Sequence, residues 1–261
     1  MFYPTSGNGA PPAPRPGPRP RLRSANRHWW LRVAVATMAL ITALAVLLMG
    51  LIVTSPAVGG APDRVRAILD AHGAPSVGNA IPSHVEDSLL ATEDSRYYSD
   101  PALDPQGVAR AVWGVITSNG NDGGATIELQ LAKMLFVPGT SPAQQLRQVG
   151  VAFRLDQRFT KKKILGLYLD AAYFGDGAYG IVQASLHYFG VAPGNLSWSQ
   201  ASMLAGLVQA PTDYDPHGHL HLARQRQAHV LARLVATGKL TAGEATRIWS
   251  APLDPVVPFY G

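Results

Sequence analysis

From Val33 to Val53 the chain is apolar for 21 residues, interrupted only by Thr37, Thr42 and Gly50. A helix of that length crosses the roughly 30 Å hydrocarbon core of a bilayer, and Trp29-Trp30 sits where an interfacial aromatic pair belongs. Beyond Pro82 the pattern changes to the i, i+3, i+4 spacing of amphipathic helices. A first helix begins at a capping box, Ser83-x-x-Glu86, and buries Val85 and Leu89 up to Glu93. A second starts at Asp104-Pro105, carries Val108, Val112, Val115 and Ile116, and stops at Asn119-Gly120. A third runs from Thr126 to Phe136, burying Ile127, Leu131 and Met134 or Leu135. A fourth opens at Ser141-Pro142 with Leu146, Val149 and Phe153 inward, and a fifth covers Lys161–Asp170, ended by Gly175–Gly180. Ser197–Gln209, His219–Thr237 (closed by Gly238) and a short helix capped by Thr241-x-x-Glu244 complete the set. No alternating strand pattern competes, so the fold class is mainly α.

Composition divides the chain. Residues 1–28 hold seven prolines among Gly, Arg and Ala, a disordered and partly polyproline-like tail. Residues 29–53 form the membrane helix, 54–80 a juxtamembrane connector with a short helix over Asp63–Ala71, 81–250 the folded domain and 251–261 a C-terminal tail. The formal charge of +5 is misleading, because Arg15, Arg19, Arg21, Arg23, Arg27 and Arg32 precede or open the apolar run without an acid among them. Without these six of the 22 Lys and Arg, 16 basic residues face 17 acidic ones, so no basic nucleic-acid surface is implied. The same arginines place the tail in the cytoplasm and everything after Val53 outside, by the positive-inside rule. A cleaved signal peptide is the simpler alternative, but its apolar region is usually only about 7–15 residues long. The absence of cysteine excludes disulfides, thiol catalysis and Cys-zinc sites, and no metal-ligating set is singled out.

Chemistry-bearing residues gather in two segments. Ala91-Thr92-Glu93-Asp94-Ser95-Arg96-Tyr97-Tyr98 sets an acidic pair near the end of a predicted helix, and Gly123-Gly124-Ala125-Thr126-Ile127-Glu128-Leu129-Gln130-Leu131-Ala132-Lys133 leads a Gly-rich loop into a helix carrying Gln and Lys. Glu93 faces the negative end of the helix macrodipole, a setting that disfavours its charge and suits a general base. For an arbitrary Glu, a solvated surface acid is the simpler account. Thr126, Gln130 and Lys133 share one helical face at i, i+4 and i+7, opposite Ile127, Leu131 and Met134. Alone, that is an ordinary polar stripe.

Together the two segments resemble the first two motifs of the peptidoglycan glycosyltransferases, E-D-x-x-F-Y and G-G-S-T-I-T-Q-Q-L-A-K. The resemblance extends in order to Trp249: Lys161-x-x-x-Leu165-x-x-Tyr168-x-Asp170 is similar to the fourth motif, and Arg226-x-x-x-Val230-Leu231 to the fifth. Tyr173-Phe174-Gly175-Asp176-Gly177-Ala178-Tyr179-Gly180 and Ala205-Gly206-Leu207-Val208-Gln209-Ala210-Pro211 also match family segments. The resemblance implies a lysozyme-like helical fold and a single-pass bacterial membrane enzyme that polymerises lipid II. Glu93 would be the base, and Asp94, Thr126, Gln130, Lys133, Lys161 and Arg226 would bind substrate, with Lys133 at the donor's pyrophosphate. Implied partners are lipid II, nascent glycan, the membrane and cell-wall synthesis or division proteins.

The third motif departs. Where R-K-x-x-E is expected, the chain reads Gln144-Gln145-Leu146-Arg147-Gln148. The acid that assists departure of the lipid pyrophosphate, directly or through Mg or Mn, thus falls on Gln148, which neither donates an acidic proton nor binds a metal strongly. The Arg expected nearby falls near Ser141, and Ala125, Glu128 and Leu129 replace Ser, Thr and Gln in the second motif. Two functions stand: a glycosyltransferase with a degenerate third motif, or an inactive relative that binds lipid II or glycan, or scaffolds cell-wall proteins. A lytic enzyme on the same fold is a weaker third. The chain has no Ser-x-x-Lys motif, so glycan polymerisation without transpeptidation is expected.

Overall fold

The computed structural model describes residues 29–99, 126–257 and 259. The expected tail, the helix after Asp104 and the Gly123-Gly124 loop lie outside the described residues. The chain divides into two compact units, residues 1–46 and 47–261. The described helices are α1 (Trp29–Thr54), α2 (Ala61–Ala71), α3 (Ser83–Glu93), α4 (Ile127–Leu135), α5 (Pro142–Arg158), α6 (Lys161–Ala171), α7 (Ile181–Phe189), α8 (Trp198–Leu207), α9 (Pro216–Ala236) and α10 (Ala242–Ser250), with a 3-10 turn at Pro193–Asn195. Among the described residues the only β feature is an isolated Tyr173–Tyr179 bridge.

Over Trp29–Leu47, α1 is long and apolar enough to cross a membrane, and none of that stretch is buried. Hydroxyls inside such a helix must find partners without water. Thr37 does so by donating to the Val33 carbonyl at 2.8 Å, and Thr54, at the end of α1, donates to the Gly50 carbonyl at 2.7 Å.

In the second unit α8 packs against α3 and α9, while α4 packs against α5 and α6, and α6 against α2. Helix α8 is buried from Ser199 to Leu207, and its polar residues find partners inside: Gln200 donates to the Leu253 carbonyl at 2.8 Å and Ser202 to the Ser199 carbonyl at 3.0 Å. The stretch read as a connector supplies Val58, Ala61, Val65 and Leu69 to the core, and Arg154 donates to the Ser55 carbonyl at 2.6 Å.

Most helix starts follow local chemistry. Ser141, Ser197 and Thr241 each close a capping box with Gln144, Gln200 and Glu244, contributions worth about 1 kcal/mol apiece. Ser83 does not: Pro82 is the N-cap, Ser83 is already helical, and Glu86 instead accepts the Tyr98 hydroxyl at 2.6 Å. The last long helix starts at Pro216, capped by Asp215, and His219 (φ −139, ψ 47) marks a kink inside it. On α4, Leu135 is buried and Met134 is 37% exposed. On α5, the inward face is Gln148, Val149, Val151, Ala152 and Leu155, with Leu146 and Phe153 only half-buried. Helix α7 was not expected from the pattern, because Gly180 before it offers no side-chain cap.

The approach to α6 is tight. Asp170 accepts from the Ser76 hydroxyl and, at 2.7 Å, from the Val77 amide, fixing the 76–79 loop against the helix. There a Cβ on Gly166 would collide with the Gly78 backbone oxygen, which cannot step aside as a side chain can. Gly166→Ala should therefore destabilise the fold by about 1–3 kcal/mol, overriding the gain in helix propensity. Thermal unfolding of the variant checks this.

Candidate active site

Glu93 ends α3, which places its side chain where α4, α6 and α9 converge. Its Oε2 accepts from Gln130 Nε2 of α4 at 2.9 Å. Tyr168 of α6 donates to Gln130 Oε1 at 2.8 Å. Burial, and then the Glu93 charge, push the Tyr168 phenol well up, so it remains a donor. A donor on the amide oxygen turns the amide nitrogen towards Glu93, and the orientation of Gln130 follows.

Arg226 of α9 lies with Nη2 3.6 Å from Glu93 Oε1, the two side chains being 13% and 11% exposed. That is a charge contact rather than a hydrogen bond. Its Nε is buried without a hydrogen-bond partner among the described residues. Gly206 of α8 lets α9 come close here, since a Cβ would lie 3.1 Å from Arg226 Cγ. One helical surface further along, Arg233 donates through Nε to the Ala91 carbonyl at 3.0 Å, satisfying an orphan carbonyl in the last turn of α3.

Beside this lies a second cluster. Glu128 is buried, and Lys161 Nζ lies 2.7 Å from its Oε1 and 3.2 Å from Asp156 Oδ1. Lys161 also sits 4.8 Å above the Tyr97 ring, while the Tyr97 hydroxyl donates to the Lys161 carbonyl at 2.7 Å. Burial opposes the charge on Lys161, but Glu128 and Asp156 outweigh it and raise its pKa. Burial first, and the Glu128 charge second, push Asp94 up from the ordinary 3.8 to about 6, against the hydrogen bonds it accepts from the Ile127 and Arg96 amides.

Of the residues singled out in the sequence, the structure brings Glu93, Gln130 and Arg226 together. Asp94 and Lys161 belong to the second cluster. Thr126 caps α4, its hydroxyl accepting from the Leu129 amide at 3.3 Å, and Lys133 is exposed in the last turn. Tyr168 and Glu128 were not assigned roles from sequence. Only the fourth-motif match marked Tyr168, and Glu128 stood out only as the wrong residue for the second motif.

The third-motif positions are turned to other work. Gln144 Nε2 donates to the Pro138 carbonyl at 2.8 Å and Gln145 Nε2 to the Thr140 carbonyl at 2.8 Å. Gln148 Nε2 donates at 2.9 Å to both Val137 and Gly139. These amides clamp the 137–140 loop. A divalent ion at this motif does not fit the residues present, because Gln148 offers no carboxylate and its amide is committed. Glu128 and Asp156, the acids nearest in sequence, both turn to Lys161.

Two measurements follow. A carboxyl group with a raised folded pKa binds its proton more strongly when folded, so its contribution to stability grows as pH falls from about 6. Acidification from about pH 7.5 to about pH 4.5 should therefore stabilise the wild type relative to Asp94→Asn, read as a change in the difference between their melting temperatures. Gln148→Glu should cost about 2–4 kcal/mol at neutral pH, by leaving two carbonyls without donors and setting a carboxylate against them. Denaturant unfolding measures the loss, which should lessen in acid as that carboxylate gains a proton.

A family model described as "Transglycosylase" matches residues 69–235. Penicillin-binding protein 1F of Bacillus subtilis is 34% identical over 70% of this chain and 26% of its own length. A Cupriavidus necator protein provisionally named a transglycosylase is 33% identical over 63% of this chain and 71% of its own. The chain thus spans about a quarter of the penicillin-binding protein and most of the second relative. A solved structure of penicillin-binding protein 1A from Haemophilus influenzae, 27% identical, covers 40% of this chain and 15% of its own with a TM-score of 0.36, a likeness too slight to argue from.

Proposed function

The chain belongs to the transglycosylase family, and on that premise we propose that it is a membrane-anchored peptidoglycan glycosyltransferase that extends glycan strands from lipid II. The observation that carries this reading is the Glu93 carboxylate, 11% exposed, met by a Gln130 amide that Tyr168 orients. In the reaction Glu93 takes the proton from the acceptor sugar's 4-hydroxyl as that oxygen bonds the donor's anomeric carbon. The bond from that carbon to the pyrophosphate oxygen breaks, and the lipid pyrophosphate leaves with the electron pair. Lys133, exposed on α4, supplies a positive charge for the leaving group. Arg226 holds the Glu93 side chain from the other side. The arginine-rich tail favours a cytoplasmic N-terminus, with the domain facing lipid II on the outer surface of a bacterial membrane.

The Gln148 clamp favours a second reading, a family member that binds lipid II or glycan, or scaffolds cell-wall proteins, without polymerising. Loss of a positioned acid commonly lowers a rate about 10²–10⁴-fold, so the polymerase reading predicts slow synthesis rather than none. Full-length protein in detergent, given fluorescent lipid II, tests the two. Glycan chains from the wild type that fall about 10²–10⁴-fold in Glu93→Gln support the polymerase. No synthesis above the Glu93→Gln level, with lipid II still bound, establishes the second reading instead.

A further inference from the structure

Three side chains unrelated to the Glu93 constellation converge at the turn after α6. Asp176 lies in the Gly175–Gly180 turn, His187 in the last turn of α7, and His217 in the first turn of α9. Asp176 Oδ2 is 2.8 Å from His187 Nε2 and 3.4 Å from His217 Nδ1. The three ligand atoms all lie within 4.8 Å of one another. We propose that Asp176, His187 and His217 bind a divalent transition metal ion, Zn²⁺ by preference.

An Asp176–His187 ion pair would account for two of the three residues, but it leaves His217 unexplained. Its Nδ1 is buried and has no hydrogen-bond partner among the described residues. The nearby Asp215 Oδ1, 3.6 Å away, already accepts from the His217 amide at 3.0 Å. A ring nitrogen held out of water and aimed at a carboxylate and a second imidazole suits a metal. Tyr188 stacks on the His217 ring at 5.4 Å, and Phe259 meets its edge at 5.2 Å, which fixes the ring's direction. Asp176 adopts φ 45, in the left-handed region that Asp tolerates better than most residues.

The donor set selects the metal class. Two imidazoles and one carboxylate suit zinc and its neighbours, whereas Mg²⁺ and Ca²⁺ prefer oxygen alone. Bonds of about 2.0–2.1 Å in a tetrahedron set ligand atoms about 3.3 Å apart. The two Asp176 distances, 2.8 and 3.4 Å, lie on either side of that value, and the two imidazole nitrogens lie within 4.8 Å of each other. Asp176 and His187 are 49% and 36% exposed in their side chains, so an ion can enter and keep water in the fourth position. Bound there, it would tie the 175–180 turn and α7 to the start of α9, the helix that carries Arg226.

The test uses full-length protein in detergent, stripped with chelator, then titrated with Zn²⁺ against a chromogenic indicator and separately with Co²⁺. The expected result is one equivalent bound, visible Co²⁺ bands of a low-coordinate nitrogen and oxygen site, and a higher melting temperature with Zn²⁺. His217→Ala and Asp176→Gly should each weaken affinity by at least about 10-fold. Glycine fits φ 45, so Asp176→Gly keeps the turn while deleting the ligand. His221→Ala should leave binding unchanged. Equal Zn²⁺ binding by the wild type and the His187→Ala/His217→Ala double variant, or no binding by the wild type, would overturn the proposal.

Discussion

The candidate site depends on one buried charge cluster. Lys161 of α6 faces Glu128 of α4 and Asp156 of α5, with Asp94 at the end of α3 close enough to feel Glu128. A buried ion pair adds little net stability against well-packed apolar residues, but removing one partner strands the other and costs about 3–5 kcal/mol. The cluster therefore fixes register rather than strength. Burial first, and the Glu128 charge second, push Asp94 up to about 6, so the acid beside the pair holds its proton into mildly acidic solution. With α3, α4 and α6 held in this way, Glu93, Gln130 and Tyr168 meet on the adjoining surface.

Two of the chain's departures from the family pattern, an acid at position 128 and none at 148, do not cancel. Glu128 is buried with one oxygen committed to Lys161, while Gln148 donates to two loop carbonyls. A carboxylate moved in sequence is not moved in space. Position 128 lies in the first turn of α4 beneath the Asp94 turn, and its charge is spent on holding the helices together.

How much was legible in the sequence depended on how local the cause was. The helix starts at Ser141 and Ser197 and the capping box at Thr241 were readable because each cause spans four residues, whereas the box read at Ser83 failed because Pro82 shifted the start of the helix by one position. Helix α7 follows a glycine with positive φ and carries few polar residues to mark a face, so neither of the usual signals was present. At the site, Glu93, Gln130 and Arg226 were visible through motif matches. The Tyr168–Gln130 bond joins residues 38 apart, and nothing local announces it. The Asp176, His187 and His217 cluster was invisible for the same reason: its members come from a turn and two helices, without the short spacing that advertises a metal site.

The third motif shows what an exchange of charge for amide does to a loop. A carboxylate only accepts hydrogen bonds, and a basic side chain only donates them from a charged group that resists desolvation, but an amide does both while neutral. Glutamine at 144, 145 and 148 lets one helical turn of α5 satisfy the carbonyls of Val137, Pro138, Gly139 and Thr140 without burying charge. The loop between α4 and α5 is thereby fastened along its length, just beyond the turn that carries Lys133. Under the proposed function, the leaving pyrophosphate would meet a fixed loop and a lysine rather than a proton donor. Its departure would then rest on the positive charge that Lys133 presents on the adjoining helix.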